Sequence, residues 1–271
     1  MTTPRATSTV LATLVLAACM HPLNYPNPKE PRYAGSVALM PPDRESVAAR
    51  RLRLVTFNTQ FALQTDSAIA LLTSTPELRD ADILALQETD APATERIARA
   101  LGMGWIYYPA TRHPRTGRDF GNALLSRWPV IEDDKLVLPH LGQVGRTQRS
   151  ATAATILVNG FSLRVYSTHL ATWVELGPGR KRDQVHTILA DAARYPRAII
   201  LGDMNSHGIG RALVAAGYCW PTERNPRTVK FWNWDHVFVK GLVRCDDQTT
   251  GVTERRHASD HRAVWAEIAI P

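Results

Sequence analysis

Short apolar runs that end in a carboxylate, an amide or an imidazole are the feature of this sequence that most limits its fold. The run at residues 198–201 leads into GDMN at 202–205, and SDH at 259–261 comes just before the apolar run 263–265. In α/β proteins, strand ends hold side chains rigidly while the loops beside them leave room for a substrate. The pattern therefore predicts an α/β fold with its chemistry at strand ends.

Four further clusters of the same kind strengthen this prediction. They contain Asn58, Glu88, His169 and Asp235, each beside an apolar run. A single Asp or Asn in a turn has a purely local explanation, because these side chains bond to their own backbone. Six clusters that all carry oxygen ligands, amides or imidazoles instead indicate one shared site.

The ordered set of motifs resembles the endonuclease/exonuclease/phosphatase superfamily of DNase I-like hydrolases. The matching stretches are TFN at Asn58, LQE at Glu88, GNALLSR at 121–127, STHL at His169, GDMN at Asp203 and Asn205, WDH at Asp235, and SDH at Asp260 and His261. The resemblance covers about residue 52 to the C-terminus. It implies a two-sheet α/β sandwich over residues 51–271, with one metal-dependent site at the sheet edges. The sequence contains no internal repeat and no sign of a second domain.

The resemblance also implies a metal site built from Glu88, Asp260 and Asn58. Phosphoester cleavage needs an activated water, shielding of the phosphate charge and stabilisation of the leaving oxygen. Carboxylate and amide oxygens suit hard cations, so magnesium or manganese is the expected cofactor.

The resemblance also implies catalytic roles for the remaining site residues. Asp203 suits the base or the orienting group for the attacking water, and Asn205 suits an amide donor to the phosphate. His261 is expected to donate to the phosphate, with Asp235 holding its ring in one tautomer. His169 is expected to be a second imidazole donor on the opposite side.

Three further side chains have weaker assignments. Arg149 begins a strand where similar proteins often carry a phosphate-contacting arginine, although a solvated arginine at a strand end would give the same sequence pattern. Gln184 lies in a helix and is expected to be a packing or surface residue. His236 follows Asp235 in a strand, so alternation turns it to the opposite face and predicts a structural role.

The coarse secondary structure alternates strands and helices. Strands are predicted at 53–58, 83–87, 122–126, 151–158, 163–168, 198–202, 237–239 and 263–268. Helices are predicted near 91–101, 183–194 and 209–216. The length of this part of the chain suits one domain with a substantial core.

The N-terminus predicts export and membrane attachment. Residues 1–18 carry one charged side chain, Arg5, and a short apolar core at 10–18, which is typical of a secretory signal peptide. The run ends in LAAC at Cys19, which resembles a bacterial lipobox, so lipid on Cys19 would anchor the protein to a membrane. An ordinary signal peptide with a chance cysteine is the alternative. Met20 replaces the Asp that often marks inner-membrane retention, so the outer membrane is the expected destination in a Gram-negative host.

Residues 19–50 are predicted to form a tether behind the lipidated cysteine. They contain six prolines and little apolar periodicity, and Pro-rich chain prefers extended conformations. Two cysteines follow in the domain, Cys219 and Cys245. In an oxidising compartment they would pair, whereas a buried free thiol at each is equally compatible with the sequence.

Charge points to an anionic substrate. The chain carries a formal charge of +7, and its basic residues gather near the proposed site motifs. Such a field attracts nucleic acid, but it equally favours anionic headgroups or small phosphate esters. The aromatic stretch FWNW at 231–234 would stack nucleic-acid bases, contact a membrane or pack in the core.

Three functional hypotheses follow. The leading one is a lipid-anchored, monomeric, metal-dependent phosphodiesterase with nuclease activity on nucleic acid. The second is a phosphatase or phospholipid phosphodiesterase of the same fold. The third is a non-catalytic binding module, which the complete set of polar positions disfavours.

Overall fold

Two β-sheets packed face to face form the framework of the protein. The computed structural model describes residues 22–36, 51–114, 116–242 and 248–270. The strands in these ranges are β1 Leu23–Asn24, β2 Tyr33–Gly35, β3 Arg51–Asn58, β4 Ile83–Thr89, β5 Gly104–Arg112, β6 Asp119–Ser126, β7 Val130–Val137, β8 Ser150–Val158, β9 Phe161–His169, β10 Ala198–Asp203, β11 Asp235–Lys240, β12 Gln248–Val252 and β13 Val264–Ala269. The first sheet has the order β1-β5-β6-β4-β3-β13-β12, with β2 also paired to β5, and the second has the order β11-β10-β9-β8-β7.

Helices cover the outer faces of both sheets. They are α1 Thr65–Ser74, α2 Pro76–Arg79, α3 Ala91–Leu101, α4 Pro178–Ala192 and α5 Gly210–Ala215, the last preceded by a 3₁₀ turn at His207–Ile209. The ends of α3 follow from local chemistry. The Asp90 carboxylate accepts a hydrogen bond from the Ala93 backbone N–H at 2.9 Å, and Gly102 ends the helix with φ of 64°.

Three apolar layers hold these elements together. The layer between the sheets includes Leu54, Ile83 and Ile199, all fully buried. A second cluster packs α1 and α3 on the first sheet, and a third, which includes Ile200, packs α4 and α5 on the second. Consecutive residues such as Ile199 and Ile200 contribute to opposite layers because side chains alternate along a strand. The predicted two-sheet α/β sandwich is therefore confirmed.

Two parallel strand pairs bring the polar motifs to one edge of the sandwich. β3 pairs in parallel with β4 in the first sheet, and β9 pairs in parallel with β10 in the second. Asn58 ends β3, and Glu88 lies one residue before the end of β4. His169 and Asp203 end β9 and β10. Parallel strands end at the same edge, so all four side chains come together.

All eight predicted strands and all three predicted helices are present, with ends shifted by a few residues. The sequence patterns did not predict β5, β7 and β12 within the domain, nor β1 and β2 before it. β5 contains Pro109, which lacks an N–H and lies at an irregularity in its pairing with β6. β7 carries the charged run at 132–135 because it is the edge strand of the second sheet. The helices α1 and α2 were also not predicted, since the apolar periodicity of α1 is weak and α2 has only four residues.

The predicted tether needs correction over the part that the structure describes. Residues 22–36 do not stand clear of the domain, because β1 and β2 both pair with β5. The buried Lys135 ammonium donates to the carbonyls of Tyr25 at 3.0 Å and Glu30 at 2.7 Å. Arg32 forms a two-pronged pair with Asp133 at 2.6 and 2.7 Å. Local composition favoured an unpacked segment, but an exposed edge of β5 and buried partners on β7 hold these residues on the domain.

Several N-terminal and cysteine predictions lie partly outside the described residues. The signal peptide at 1–18, Cys19, the tether residues 37–50 and Cys245 all fall there. Cys219 takes part in a disulfide bond, so the free-thiol alternative is wrong for this residue. Among the helices that the structure describes, none combines the length and the apolar character needed to cross a membrane.

Candidate active site

The register of the second sheet places three of the predicted side chains on neighbouring strands. Asp203 on β10 pairs directly with His169 on β9 and with Asp235 on β11. Gly202 precedes Asp203 with φ of 148°, and a Cβ there would lie 1.8 Å from the Thr168 carbonyl oxygen. Only glycine allows the two strands to approach at this point, so Gly202 sets the position of Asp203.

Asp235 and His261 form a buried pair. The His261 ring nitrogen Nδ1 lies 2.9 Å from Asp235 Oδ2, so the predicted pairing is confirmed. Burial disfavours the charged ring, but the carboxylates of Asp235 and Asp203 outweigh it and raise the pKa of His261 to about 10. The ring is then protonated at neutral pH. Its Nδ1–H donates to Asp235, and its Nε2 faces Asp203 Oδ2 at 3.7 Å.

Asp203 lies at the centre of the site. Its Oδ1 accepts the Asn205 backbone N–H at 2.8 Å, and its Oδ2 accepts the Asn58 amide at 3.1 Å. Burial and the charge of Asp235 raise the pKa of Asp203 to about 7, against the opposing influence of His261. Both protonation states are therefore accessible near neutral pH, which suits a group that exchanges a proton with water.

His169 is held in a single tautomer by Arg149. Arg149 Nη1 lies 3.0 Å from His169 Nδ1, and Arg149 Nη2 donates to Glu175 Oε2 at 2.6 Å. Because arginine only donates, His169 Nδ1 must accept, and its proton lies on Nε2, 3.5 Å from Asp203 Oδ2. Burial and the charge of Arg149 lower the pKa of His169 well below its usual value, so the ring is neutral.

Glu88 and Asp260 supply carboxylate oxygens beside Asp203, whereas the side-chain oxygen of Asn58, also predicted as a metal ligand, accepts the Gln60 backbone N–H at 3.0 Å instead. Glu88 lies at a register irregularity of β4 with φ of 53°, an uncommon conformation for this residue. The Asn58 amide donates to Glu88 Oε1 at 3.3 Å. Burial raises the pKa of Glu88, and the nearby carboxylate of Asp260 adds to this effect against His261. Two carboxylates that repel each other beside an amide fit a hard divalent cation, whose charge would relieve the repulsion.

Among the described residues, Asp203, Asp235 and His261 have the spacing of a metal site. One ligand atom each from Asp203, Asp235 and His261 lie within 4.8 Å of one another. A protonated His261 ring, however, has no lone pair free, and its Nδ1–H already donates to Asp235. The oxygen set around Glu88 is therefore the better cation site.

Asn205 is tied into the backbone around Asp203. One N–H of its side-chain amide donates to the Leu170 carbonyl at 2.9 Å, and the backbone carbonyl of Asn205 accepts from the Lys181 ammonium at 2.9 Å. A side-chain amide has two N–H groups, so one remains for the predicted phosphate contact. Burial lowers the pKa of Lys181 to about 8.

These residues form the floor of a cleft of about 510 Å³. Its walls include Phe61, His113, Phe120, Val144, Arg149, Val174, Lys230, Trp232 and Trp234. Trp232 and Trp234 lie parallel, with ring centroids 5.8 Å apart and planes 6° apart. Every predicted catalytic and metal-binding side chain except Asp235 and Asn58 lines this cleft. Asp235 contacts the cleft residue His261, and Asn58 donates hydrogen bonds to the cleft residues Glu88 and Asp203.

A strongly basic pocket of about 560 Å³ adjoins the cleft. It is lined by Arg227, Lys230, Glu254, Arg255, Arg256, His257, Ser259 and Arg262. Lys230 lines both spaces, so the pocket continues the cleft. The Nε atoms of Arg255 and Arg262 are buried without a hydrogen-bond partner in the described part of the chain. Like charges gathered without such partners favour an anionic ligand.

Gln184 and His236, which were expected to have structural roles, are both buried. Gln184 is fully buried, accepting the Ala171 N–H at 3.1 Å and donating to the Pro139 carbonyl at 3.1 Å. His236 is buried against Trp220 and Phe238, and burial lowers its pKa to about 4.

The sequence reading missed Glu175 and the role of Lys181. Glu175 binds Arg149 and also accepts from the Thr147 hydroxyl at 3.0 Å. Nothing in its local sequence signals this. Lys181 had a signal, because it shares a helical face with the buried residues Val185 and Ile188. A charged residue on such a face needs an internal partner.

Comparisons with known proteins agree with this geometry. A sequence model of the Endonuclease/Exonuclease/phosphatase family matches residues 55–261. A comparison with curated protein sequences finds no match.

Solved structures of several proteins share the fold at low identity. An endonuclease/exonuclease/phosphatase family protein of Bacteroides thetaiotaomicron has 20% identity and a TM-score of 0.60, covering 82% of this chain and 98% of that one. A mannosyl-6-phosphatase of the same organism has 18% identity and a TM-score of 0.59, covering 81% and 100%. TDP2 of D. rerio, complexed with a single-strand DNA product, has 16% identity and a TM-score of 0.63, covering 80% and 98%.

Proposed function

Since the chain belongs to the endonuclease/exonuclease/phosphatase family, we propose that it is a metal-dependent phosphodiesterase. Its relatives include a mannosyl-6-phosphatase, an enzyme of phosphoester hydrolysis. The observation that carries the proposal is the meeting of three groups at the floor of one cleft. A protonated imidazole at His261, a carboxylate of raised pKa at Asp203 and an oxygen-donor set at Glu88 lie there together.

The residues of this chain divide the chemistry between them. His261 presents Nε2–H to a phosphate oxygen while Asp235 holds the ring. The positive charge of the ring stabilises the negative charge that develops on the phosphate oxygens. Asp203, oriented by Asn205 and Asn58, accepts the proton of the attacking water. His169 adds a neutral Nε2–H donor from the opposite side.

Glu88 and Asp260 would hold the cation, and the Asn58 side-chain amide, which donates to Glu88, would position that carboxylate. Magnesium and manganese match this all-oxygen set. A divalent cation bound there would shield the phosphate charge and stabilise the leaving oxygen. Glu88 reaches the cleft from its strained backbone position, which supports a functional rather than a structural role.

The shape of the cleft favours a diester over a monoester. Because the cleft continues past Lys230 into the basic pocket, a phosphorus atom at the floor has room for a substituent on either side. A nucleic acid is one such substrate, and the parallel Trp232 and Trp234 rings beside basic side chains favour nuclease activity. A phospholipid headgroup is the other, favoured by exposed apolar side chains around the mouth of the cleft.

We also propose that the protein is exported and anchored through Cys19 at a bacterial membrane, the outer membrane in a Gram-negative host. The apolar run that ends at Cys19 supports this. Cys19→Ser should then move the protein out of the membrane fraction. Wild-type protein recovered soluble, with an unmodified Cys19, would refute the anchor.

The activity is tested with two soluble probes, bis(p-nitrophenyl) phosphate and p-nitrophenyl phosphate, with magnesium, with manganese and with a chelator. We expect hydrolysis that requires the cation and favours the diester. Glu88→Gln should retain the thermal unfolding midpoint but weaken cation binding in calorimetry and lower the rate by orders of magnitude. Asp66→Asn, an exposed control, should change neither. Failure on a wide phosphoester panel would support a non-catalytic binding module instead.

A further inference from the structure

We propose that the rim of the cleft is a membrane-docking face, and that the cleft takes the phosphodiester of a phospholipid headgroup from that membrane. The docking face is defined by five side chains: Val144, Trp173, Val174, Phe231 and Trp232. The assignment of the substrate rests on the proposed hydrolase function, whereas docking itself does not.

Large exposed apolar side chains concentrate around this cleft. The exposed fractions are 68% at Val144, 73% at Trp173, 49% at Val174, 80% at Phe231 and 55% at Trp232. Val144, Val174 and Trp232 line the cleft, and the other two are chain neighbours of lining residues. Exposed apolar side chains that occur singly need no explanation, but a group around one opening marks an interaction surface.

The five side chains lie on both sides of the catalytic floor. Val144 lies between β7 and β8, and Trp173 and Val174 follow β9. Phe231 and Trp232 precede β11, at the other end of the second sheet. Asp203 on β10 lies between them. Exposed apolar side chains on both sides of an opening can contact one flat surface at the same time, so the mouth of the cleft would face that surface.

Exposed cations accompany these tips. Arg146 lies two residues after Val144, and Lys230 directly precedes Phe231. A surface that combines Trp or Phe with Lys or Arg is suited to the interface of an anionic bilayer, where aromatic rings enter the headgroup region and cations bind phosphates.

The described N-terminal segment begins beside the same rim. Asn24 donates to the Arg146 carbonyl at 2.9 Å and accepts the Gln148 N–H at 2.9 Å. Asn24 is thus bound to the loop that carries Val144. Cys19 precedes Asn24 by five residues, a span of at most about 18 Å of extended chain. A lipid on Cys19 would therefore enter the membrane on the side of the molecule where the cleft opens.

This placement favours a membrane over a nucleic acid as the occupant of the rim. A nucleic acid would use the Trp232–Trp234 stack and the basic pocket, but it has no use for apolar tips at Val144 and Trp173. It also gives no reason for the anchor-bearing end of the chain to be fastened beside the mouth.

The test uses residues 19–271 with Cys19→Ser, which keep every residue that the structure describes. Binding is measured by sedimentation with vesicles of phosphatidylethanolamine and phosphatidylglycerol, and with phosphatidylcholine vesicles for comparison. The rim variant carries Trp173→Ser and Phe231→Ser. The matched control carries Ile131→Ser and Val214→Ser, which are also exposed apolar positions, 58% and 48%, but lie away from the cleft.

We expect the parent protein to bind anionic vesicles and the rim variant to bind at least about tenfold more weakly, while the control binds as the parent does. All three should share one unfolding midpoint. Glu88→Gln should bind vesicles normally but fail to hydrolyse phosphatidylglycerol, which separates docking from the proposed activity.

Three outcomes would overturn the inference. One is a parent that does not bind vesicles, and another is equal weakening in the rim and control variants. The third is a parent that binds a single-stranded oligonucleotide instead, with affinity lost in Arg255→Ala, which would assign the face to nucleic acid.

Discussion

Removal of Asp235 is the change whose effect on catalysis is most directly set by the geometry. Asp235 is fully buried and holds His261 Nδ1 at 2.9 Å. The pKa of His261, about 10 against its usual 6.5, corresponds to a preference for the protonated ring of about 5 kcal/mol. Asp235 is the largest of the charges that raise this pKa against the opposing effect of burial, so removal of its carboxylate should lower the pKa of His261 strongly.

We therefore expect Asp235→Ala and His261→Ala each to lower the rate by about two to four decades. The double variant should be little slower than His261→Ala alone, because Asp235 acts through the ring that it orients. Asp235→Asn keeps the side-chain volume and serves to separate loss of charge from a packing defect.

The assay is kcat and KM on bis(p-nitrophenyl) phosphate at saturating cation, for the wild type, both single variants and the double variant. Thermal unfolding shows whether each variant is folded. Losses that multiply in full would mean that the two side chains act independently. The pairing would then be structural only, and the mechanism proposed for His261 would be wrong.

Three further predictions concern stability. The pKa of Asp133 is lowered because hydrogen bonds from Arg32 and Tyr108 outweigh its burial. The ionised Asp133 carboxylate should therefore stabilise the protein relative to Asp133→Asn above about pH 4, and this stabilisation should vanish as the pH falls through the lower folded-state pKa. Urea unfolding of both proteins from about pH 2 to 7 measures it. Glu175→Gln breaks a buried pair and should cost about 3 kcal/mol, whereas joint replacement of both partners by Met should recover part of it; no recovery would contradict the pairing. Gly202→Ala should prevent stable folding, while Gly179→Ala, with open space at its Cβ, should be neutral or stabilising; equal midpoints for the two would disprove the close strand contact.

Local sequence was enough to predict which side chains come together around Asp203. Asn58, Glu88, His169 and Asp203 could be found because each ends a short apolar run, and strand ends in a two-sheet sandwich converge. The Asp235–His261 pair came from the resemblance, and its 2.9 Å contact confirms it. Gln184 and His236 were correctly separated from the site by helical placement and strand alternation.

Other features needed long-range contacts that local sequence does not encode. Arg149 was expected either to contact phosphate or to be a solvated arginine at a strand end, but Glu175 holds it so that it sets the tautomer of His169. Residues 22–36 looked like free tether because their prolines discourage regular structure, yet buried partners such as Lys135 bind them.

The sequence by itself determined eight of the strands, three of the helices and the chemical types of the candidate site residues, because apolar runs and the polar groups at their ends are local properties. The protonation states, the cleft and its exposed rim, and the fastening of Asn24 beside that rim were decided only by tertiary structure. Burial, charge proximity and surface grouping depend on residues that are distant in sequence, and they exist only after the two sheets have packed together.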